Sequence, residues 1–182
     1  MSNDTLAWAL GRLAERRRVV IASVIQTSGS VPGKVGAKLA VAEGKEAFHG
    51  TVGGAGLEMK VLLRCKELLS EYWEPYGEMH TYGLNKGAKG YEVQPLDSLC
   101  GGRVTLSIEV IMPSPHVLMM GGGHCANALS KTINSLNWHH SVTDSRIEYC
   151  DKDSFPQATE LIPSSVAEFL SKESFDSITR FS

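Results

Sequence analysis

The chain carries no C-x-x-C pair, although it has four cysteines, Cys65, Cys100, Cys125 and Cys150. Their wide spacing signals neither a zinc knuckle nor a dithiol redox motif. No apolar run approaches the length of a membrane span. Met1–Leu10 lacks the basic start and apolar core of a signal peptide, so the expectation is a cytoplasmic protein with free thiols. An excess of charge of one sign is lacking too: 18 basic and 20 acidic residues leave a formal net charge of −2, which argues against a broad nucleic-acid surface. What remains is an ordinary apolar fraction over 182 residues, enough for one large or two small domains.

The most ordered pattern runs from His116 to Arg146. Val117-Leu118-Met119-Met120 reads as a short strand that ends in Gly121-Gly122-Gly123-His124-Cys125-Ala126, a G-x-G-x-x-A turn. Ala126, Leu129, Ile133 and Leu136 then fall near helical spacing, and His139–Thr143 extends as a second strand before Asp144. Such a turn brings backbone N–H groups and a helix dipole to a phosphate, and an acid about 20 residues on can accept from a ribose. This predicts a Rossmann-like βαβ unit. A tight turn with a buried helix start is the plainer reading.

From the beginning, Asn3 or Asp4 can cap a helix with Leu6, Leu10, Leu13 and Ala14 on one face. Arg16-Arg17-Arg18 closes it and reads as a solvated helix end. Val19–Thr27 is a β-branched strand. Thr27–Lys38 is a Gly/Ser/Pro-rich loop in which Lys34 and Lys38 either face an anion or are ordinary surface lysines. Leu39–Ala42 and Ala47–Val52 form a hairpin around Glu43-Gly44-Lys45. Gly53–Gly56 then lead into an amphipathic helix, Leu57–Leu69, marked by Val61, Leu62, Cys65, Leu68 and Leu69. Gly53 and Gly54 offer amides to an anion. Glu58, in the first turn, is either a favourable charge at the dipole's positive end or a carboxylate beside a ligand.

Tyr72–Leu96 shows one strand candidate, His80–Leu84. Leu99-Cys100-Gly101-Gly102 precedes a period-two strand, Arg103–Ile111. Cys100 before two glycines is accessible to something large, although a packed small hydrophobe is the commoner fate of a free cysteine. Pro113-Ser114-Pro115 makes a natural boundary. The fold class is therefore α/β: an N-terminal mixed α/β domain over 1–112 and a truncated Rossmann-like domain over 113–182, with a further helix near Ser164–Ser171 and a short tail, Phe175–Phe181.

Taken in order, Gly29-Ser30-x-Pro32, Gly36-Ala37-Lys38, Gly50-Thr51-Val52-Gly53-Gly54-x-x-Leu57-Glu58, Cys100-Gly101-Gly102, Gly121-x-Gly123-His124 and Asp144-x-Arg146 resemble the XdhC/CoxI family from about Val20 to Phe155. The resemblance implies an accessory chaperone, not a catalyst with its own substrate. It would bind molybdenum cofactor (molybdopterin), hold it during sulfuration and deliver it to an apo-hydroxylase such as xanthine dehydrogenase. A cysteine desulfurase is a further candidate partner. It also implies Cys100 as a cofactor contact and metal ligand, with Gly101 and Gly102 beside it. Gly53, Gly54, Gly121 and Gly123 would be amide donors, and Glu58, His124, Asp144 and Arg146 further binding residues. His124 has the plainer alternative of satisfying the first helical turn.

Two departures stand out. Gly33 occupies the position after the proline of the first motif, where many relatives have arginine, with Lys34 next. The C-terminal half is shorter than in relatives, which suggests either a truncated piece or a homodimer covering an open sheet edge. The alternative functions are an NAD(P)-binding oxidoreductase using the Gly121–Gly123 turn with Asp144 on the ribose, and a non-catalytic dimerisation module.

Overall fold

A computed structural model describes residues 2–44, 48–85, 93–95 and 101–172 of the chain. Cys100 and the tail Phe175–Phe181 lie outside the described residues. The chain divides into two compact units, Met1–Pro113 and Ser114–Ser182.

The first unit begins with helix α1, Ser2–Ala14, followed by strands β1, Val19–Ser28, β2, Lys38–Ala42, and β3, Phe48–Gly50. Helix α2, Ala55–Glu71, leads to β4, Tyr76–Gly83, the short β5, Val93–Pro95, and β6, Arg103–Ile111. The sheet has the order β3-β2-β1-β6-β4-β5, antiparallel except for the parallel β4–β5 pair. Alternation divides the strands between two faces. Val20, Ala22, Val24, Leu39, Val41, Val104, Leu106, Ile108 and Val110 meet Val61, Cys65 and Leu68 of α2 in one buried cluster. Each fully buried Val or Leu there contributes about 1.5–3 kcal/mol.

Helix α1 packs on a separate apolar cluster, formed by Val19, Ala40 and Ala42 with Ala9, Trp8 and Leu13. The helix face that turns inward differs from the one expected. Thr5 and Ala9 are buried, whereas Leu10 is 66% exposed and Leu6 also faces outward. Small residues let the helix press onto the hairpin: a β-carbon at Gly50 would lie 2.6 Å from the Thr5 hydroxyl. The basic triplet also departs from a solvated helix end. Arg18 is buried; its Nε and Nη2 donate to the two Glu43 carboxylate oxygens at 3.2 and 3.0 Å, and Nη1 donates to the Tyr72 carbonyl at 2.5 Å. Its guanidinium lies 3.5 Å from the Trp73 ring centroid. The fork fastens the start of β1 to the end of β2 and the end of α2.

Strand β4 starts at Tyr76, earlier than the His80 expected from sequence. Polar side chains mask its alternation, because Arg64 of α2 reaches down to satisfy them. Arg64 Nε and Nη2 donate to Glu78 at 2.7 and 2.9 Å, and Glu78 in turn pairs with His80 Nε2 at 2.8 Å. The Arg64 fork holds the Glu78 carboxyl below its usual range.

The second unit contains β7, His116–Met120, helix α3, His124–Ser135, β8, His139–Thr143, a 3-10 turn, Ile147–Tyr149, strand β9, Glu160–Ile162, and helix α4, Val166–Lys172. Its sheet is parallel in the order β7-β8-β9. Met119, Ala126, Ile133, Val142, Phe155 and Ala158 form its core. The βαβ unit is present where the sequence places it. Strand β9, only three residues long, carries too little periodicity to be read beforehand.

Candidate cofactor site

In the first unit, three glycine-bearing segments that lie far apart in sequence touch one another beyond the end of β1. A bulge between Val24 and Gln26 shifts the β1–β6 register just before this point. Such a bulge bends the strand and redirects the residues beyond it. The loop after β1 is closed back onto the strand, where Val24 N–H donates to the Ala37 carbonyl at 2.9 Å and Gly36 N–H to the Val24 carbonyl at 2.8 Å.

Contact between the segments depends on missing side chains. At Gly29 a β-carbon would come within 3.0 Å of Gly102 Cα, and at Gly102 one would fall 2.5 and 2.6 Å from the Ser28 and Ser30 carbonyl oxygens. On the other side of the loop, a β-carbon at Gly33 would collide with the Val52 carbonyl, and one at Gly53 would sit 2.5 Å from Gly33 N and Cα. Gly53 also has φ +97°, a left-handed value that glycine alone adopts freely. The Leu84 N–H donates to the Gly102 carbonyl at 2.9 Å, so the end of β4 holds the third segment in place. Gly101 and Gly56, by contrast, have open space where a side chain would project.

Helix α2 starts from this cluster with Gly54 as its N-cap and no side chain capping it. The first amides of a helix have no intrahelical acceptor. Thr51 organises the approach: its hydroxyl accepts from the Gly53 N–H at 3.1 Å and donates to the Glu58 carboxylate. Around the cluster, Lys34 and Arg103 are exposed and Glu58 is half-buried. Lys38 is directed elsewhere, donating to Ser23 Oγ at 3.0 Å.

Residues 12–83 match the XdhC and CoxI family. This XdhC/CoxI-like span includes the Gly29–Pro32 loop, Gly53, Gly54 and Glu58, and ends before Cys100-Gly101-Gly102 and before the second unit. Gly101 and Gly102 therefore join the matched glycines through the fold. Among curated proteins, the chain is 27% identical over 145 residues to YqeB of Escherichia coli (strain K12), an uncharacterized protein. That alignment takes in 78% of this chain and 25% of the relative, so the chain spans about a quarter of that protein's length. A solved Bacillus halodurans structure named as a xanthine dehydrogenase is similar with a TM-score of 0.41 and 18% identity, covering 91% of this chain and 70% of that one.

In the second unit, Gly121, φ +113°, makes the predicted turn, and its N–H donates to the Thr143 carbonyl at 2.7 Å. Gly123 is the N-cap of α3, with His124 and Cys125 exposed in its first turn. Asp144 stands at the end of β8, as expected, but is buried. Its carboxylate faces back into the turn, where it accepts from the Gly122 N–H at 2.9 Å. Arg146 is exposed and lies with its guanidinium 4.1 Å from the Tyr149 ring centroid. The Arg146 fork, then the Gly122 and Arg146 amides, hold the Asp144 carboxyl well below the usual carboxylate range.

Sequence reasoning missed the part played by Thr51, Gly33 and Tyr149. Thr51 lies inside a motif of the resemblance and Gly33 directly after one, but which neighbours they touch is a property of the fold. Of the described thiols, Cys65 is buried and pushed up to about 12 by burial, and Cys150 is buried with its Sγ 3.5 Å from the Val142 carbonyl. Only Cys125 among them is exposed. No helix among the described residues is long and apolar enough to cross a membrane.

Proposed function

We propose that the chain is an accessory factor that binds molybdenum cofactor and passes it to a molybdenum hydroxylase of the xanthine dehydrogenase type. The observation that carries this reading is the convergence of Gly29, Gly33, Gly53, Gly54, Gly101 and Gly102 on one place within and beside the XdhC/CoxI-like span. Cys100 immediately precedes Gly101 in the chain. A glycine cluster, buried at Gly33 and Gly102 and open at Gly54 and Gly101, with an uncapped helix start suits an anionic cargo. Lys34 and Arg103 supply positive charge around it.

In this reading the Gly54 amide and the first amides of α2 receive the pterin's phosphate, while Gly53, its N–H held by Thr51, lets the backbone come close. Glu58, oriented by Thr51, accepts from the N–H edge of the pterin ring. Cys100 offers a thiolate, a soft ligand suited to the metal. The cargo would supply a molybdenum centre to be sulfurated for the hydroxylase, and a cysteine desulfurase would be the sulfur-supplying partner. The protein's own part is to hold, shield and release.

Anaerobic equilibrium binding of purified molybdenum cofactor to the wild type and to Cys100→Ser tests the reading. The expected result is retention by the wild type and loss of most binding in the variant. A wild type that ignores the cofactor overturns the function. Equal binding by both proteins removes Cys100 from the site.

A further inference from the structure

The acid that a dinucleotide-binding turn keeps free for a ribose is already engaged in this chain. Asp144 Oδ2 accepts from the Gly122 N–H and from Arg146 Nη2, each at 2.9 Å, and Oδ1 accepts from the Arg146 N–H at 2.9 Å and from Arg146 Nε at 3.0 Å. A carboxylate offers about four lone-pair positions. Four donors occupy them. The Gly122 amide is among the groups that a bound pyrophosphate would need from such a turn. The strap after β8 adds a second barrier, since a β-carbon at Gly122 would run into the Tyr149 carbonyl. Tyr149 in turn lies under the Arg146 guanidinium.

We propose that Asp144 is a latch, an internal anion that fills the second unit's glycine turn, fastens it to the Arg146–Tyr149 strap and keeps phosphate-bearing ligands out. The carboxylate stands in for the phosphate, and Arg146 neutralises it at the surface. Opening the turn requires the Gly122 bond to break, and the carboxylate that accepts it is held in place by the Arg146 fork. The arrangement lies wholly within the second unit and does not depend on cofactor binding by the first.

The test is amide-resolved NMR of the whole chain with inorganic pyrophosphate and NADH as separate probes. In the wild type, the Gly122 amide should exchange slowly, and neither probe at millimolar concentration should shift the Gly121–His124 amides. Asp144→Ala should speed Gly122 exchange about tenfold or more, as loss of a charge-assisted bond implies, and should let pyrophosphate shift those amides. Arg146→Ala, a change at an exposed side chain, should have the same effects more weakly, and it carries the test if Asp144→Ala does not fold. If NADH shifts the wild-type amides and Asp144→Ala abolishes that shift, the acid is a ribose ligand and the latch is wrong. If neither variant alters exchange or admits pyrophosphate, Asp144 is not what closes the turn, and the proposal is overturned.

Discussion

Alanine at Gly102 and at Gly101 should have opposite consequences, although the two glycines are adjacent. A β-carbon at Gly102 meets the Ser28 oxygen at 2.5 Å, the Ser30 oxygen at 2.6 Å and the Val31 side chain. Two of these neighbours are backbone atoms, and Ser28 is held in register against Arg103, so the clash cannot be relieved by a side-chain rotation. Overpacking of this kind costs about 1–3 kcal/mol. A unit the size of Met1–Pro113 loses about 4 °C of Tm per kcal/mol, so Gly102→Ala should melt roughly 4–12 °C lower. Nothing lies within 4 Å of a β-carbon at Gly101, so Gly101→Ala should stay within about 0.5 kcal/mol of the wild type. Differential scanning calorimetry of both variants decides it, with the loss confined to the transition of the first unit. If Gly102→Ala melts within about 1 °C of Gly101→Ala, the three segments do not pack as described, and the glycine cluster loses its physical basis.

Two further changes probe other parts of the structure. Breaking a buried ion pair costs roughly 3–5 kcal/mol, and Glu43 keeps 35% of its side chain exposed, so Arg18→Ala should cost about 2–3 kcal/mol in urea unfolding, and Arg18→Lys less. An unchanged urea midpoint for Arg18→Ala would show that the fork does not fasten β1. In the second unit, His140 is fully buried against Ser130 Oγ at 3.0 Å, and burial, with Lys152 and His139 nearby, lowers its pKa from the ordinary value of 6.5. The unfolded chain then takes up a proton that the folded chain refuses. Stability is full above about pH 6.5 and falls as the pH drops toward the depressed folded value. Thermal melts of wild type and His140→Gln between about pH 7.5 and pH 5 should show the steeper acid loss in the wild type; parallel slopes refute it.

Much of the backbone was legible because it follows from local periodicity. Val19–Thr27, Arg103–Ile111 and His139–Thr143 alternate or run apolar over enough residues to mark strands, and Leu57–Leu69 carries its stripe through three turns. Glycine-rich segments could be singled out for the same reason, since few residues tolerate such turns. Long-range partners were not legible. Leu6 and Leu10 looked like the inner face of α1, yet the sheet beneath offers Ala40, Ala42 and Gly50, a shallow surface that admits Thr5 and Ala9. Arg18 looked like a solvated charge because Glu43, 25 residues away, cannot be assigned to it from spacing. Asp144 stood at the distance a ribose acid should occupy. Only the fold-back of Arg146 and Tyr149 shows that its oxygens are taken.

The pairing of β1 with β6 joins Val19 to Ile111 and Ser28 to Arg103. On the ribosome, the first strand of the sheet must therefore wait for more than half of the chain before its central partner emerges. Until then Val20, Ala22 and Val24 lack the strand that will lie beside them. The glycine segments at 29–33, 53–54 and 101–102 likewise have no common meeting point before the last of them is made. A nascent chain is thus blank with respect to this site. The glycine cluster is assembled only once residues 101–102 are made, so that its closing reports a completed first unit.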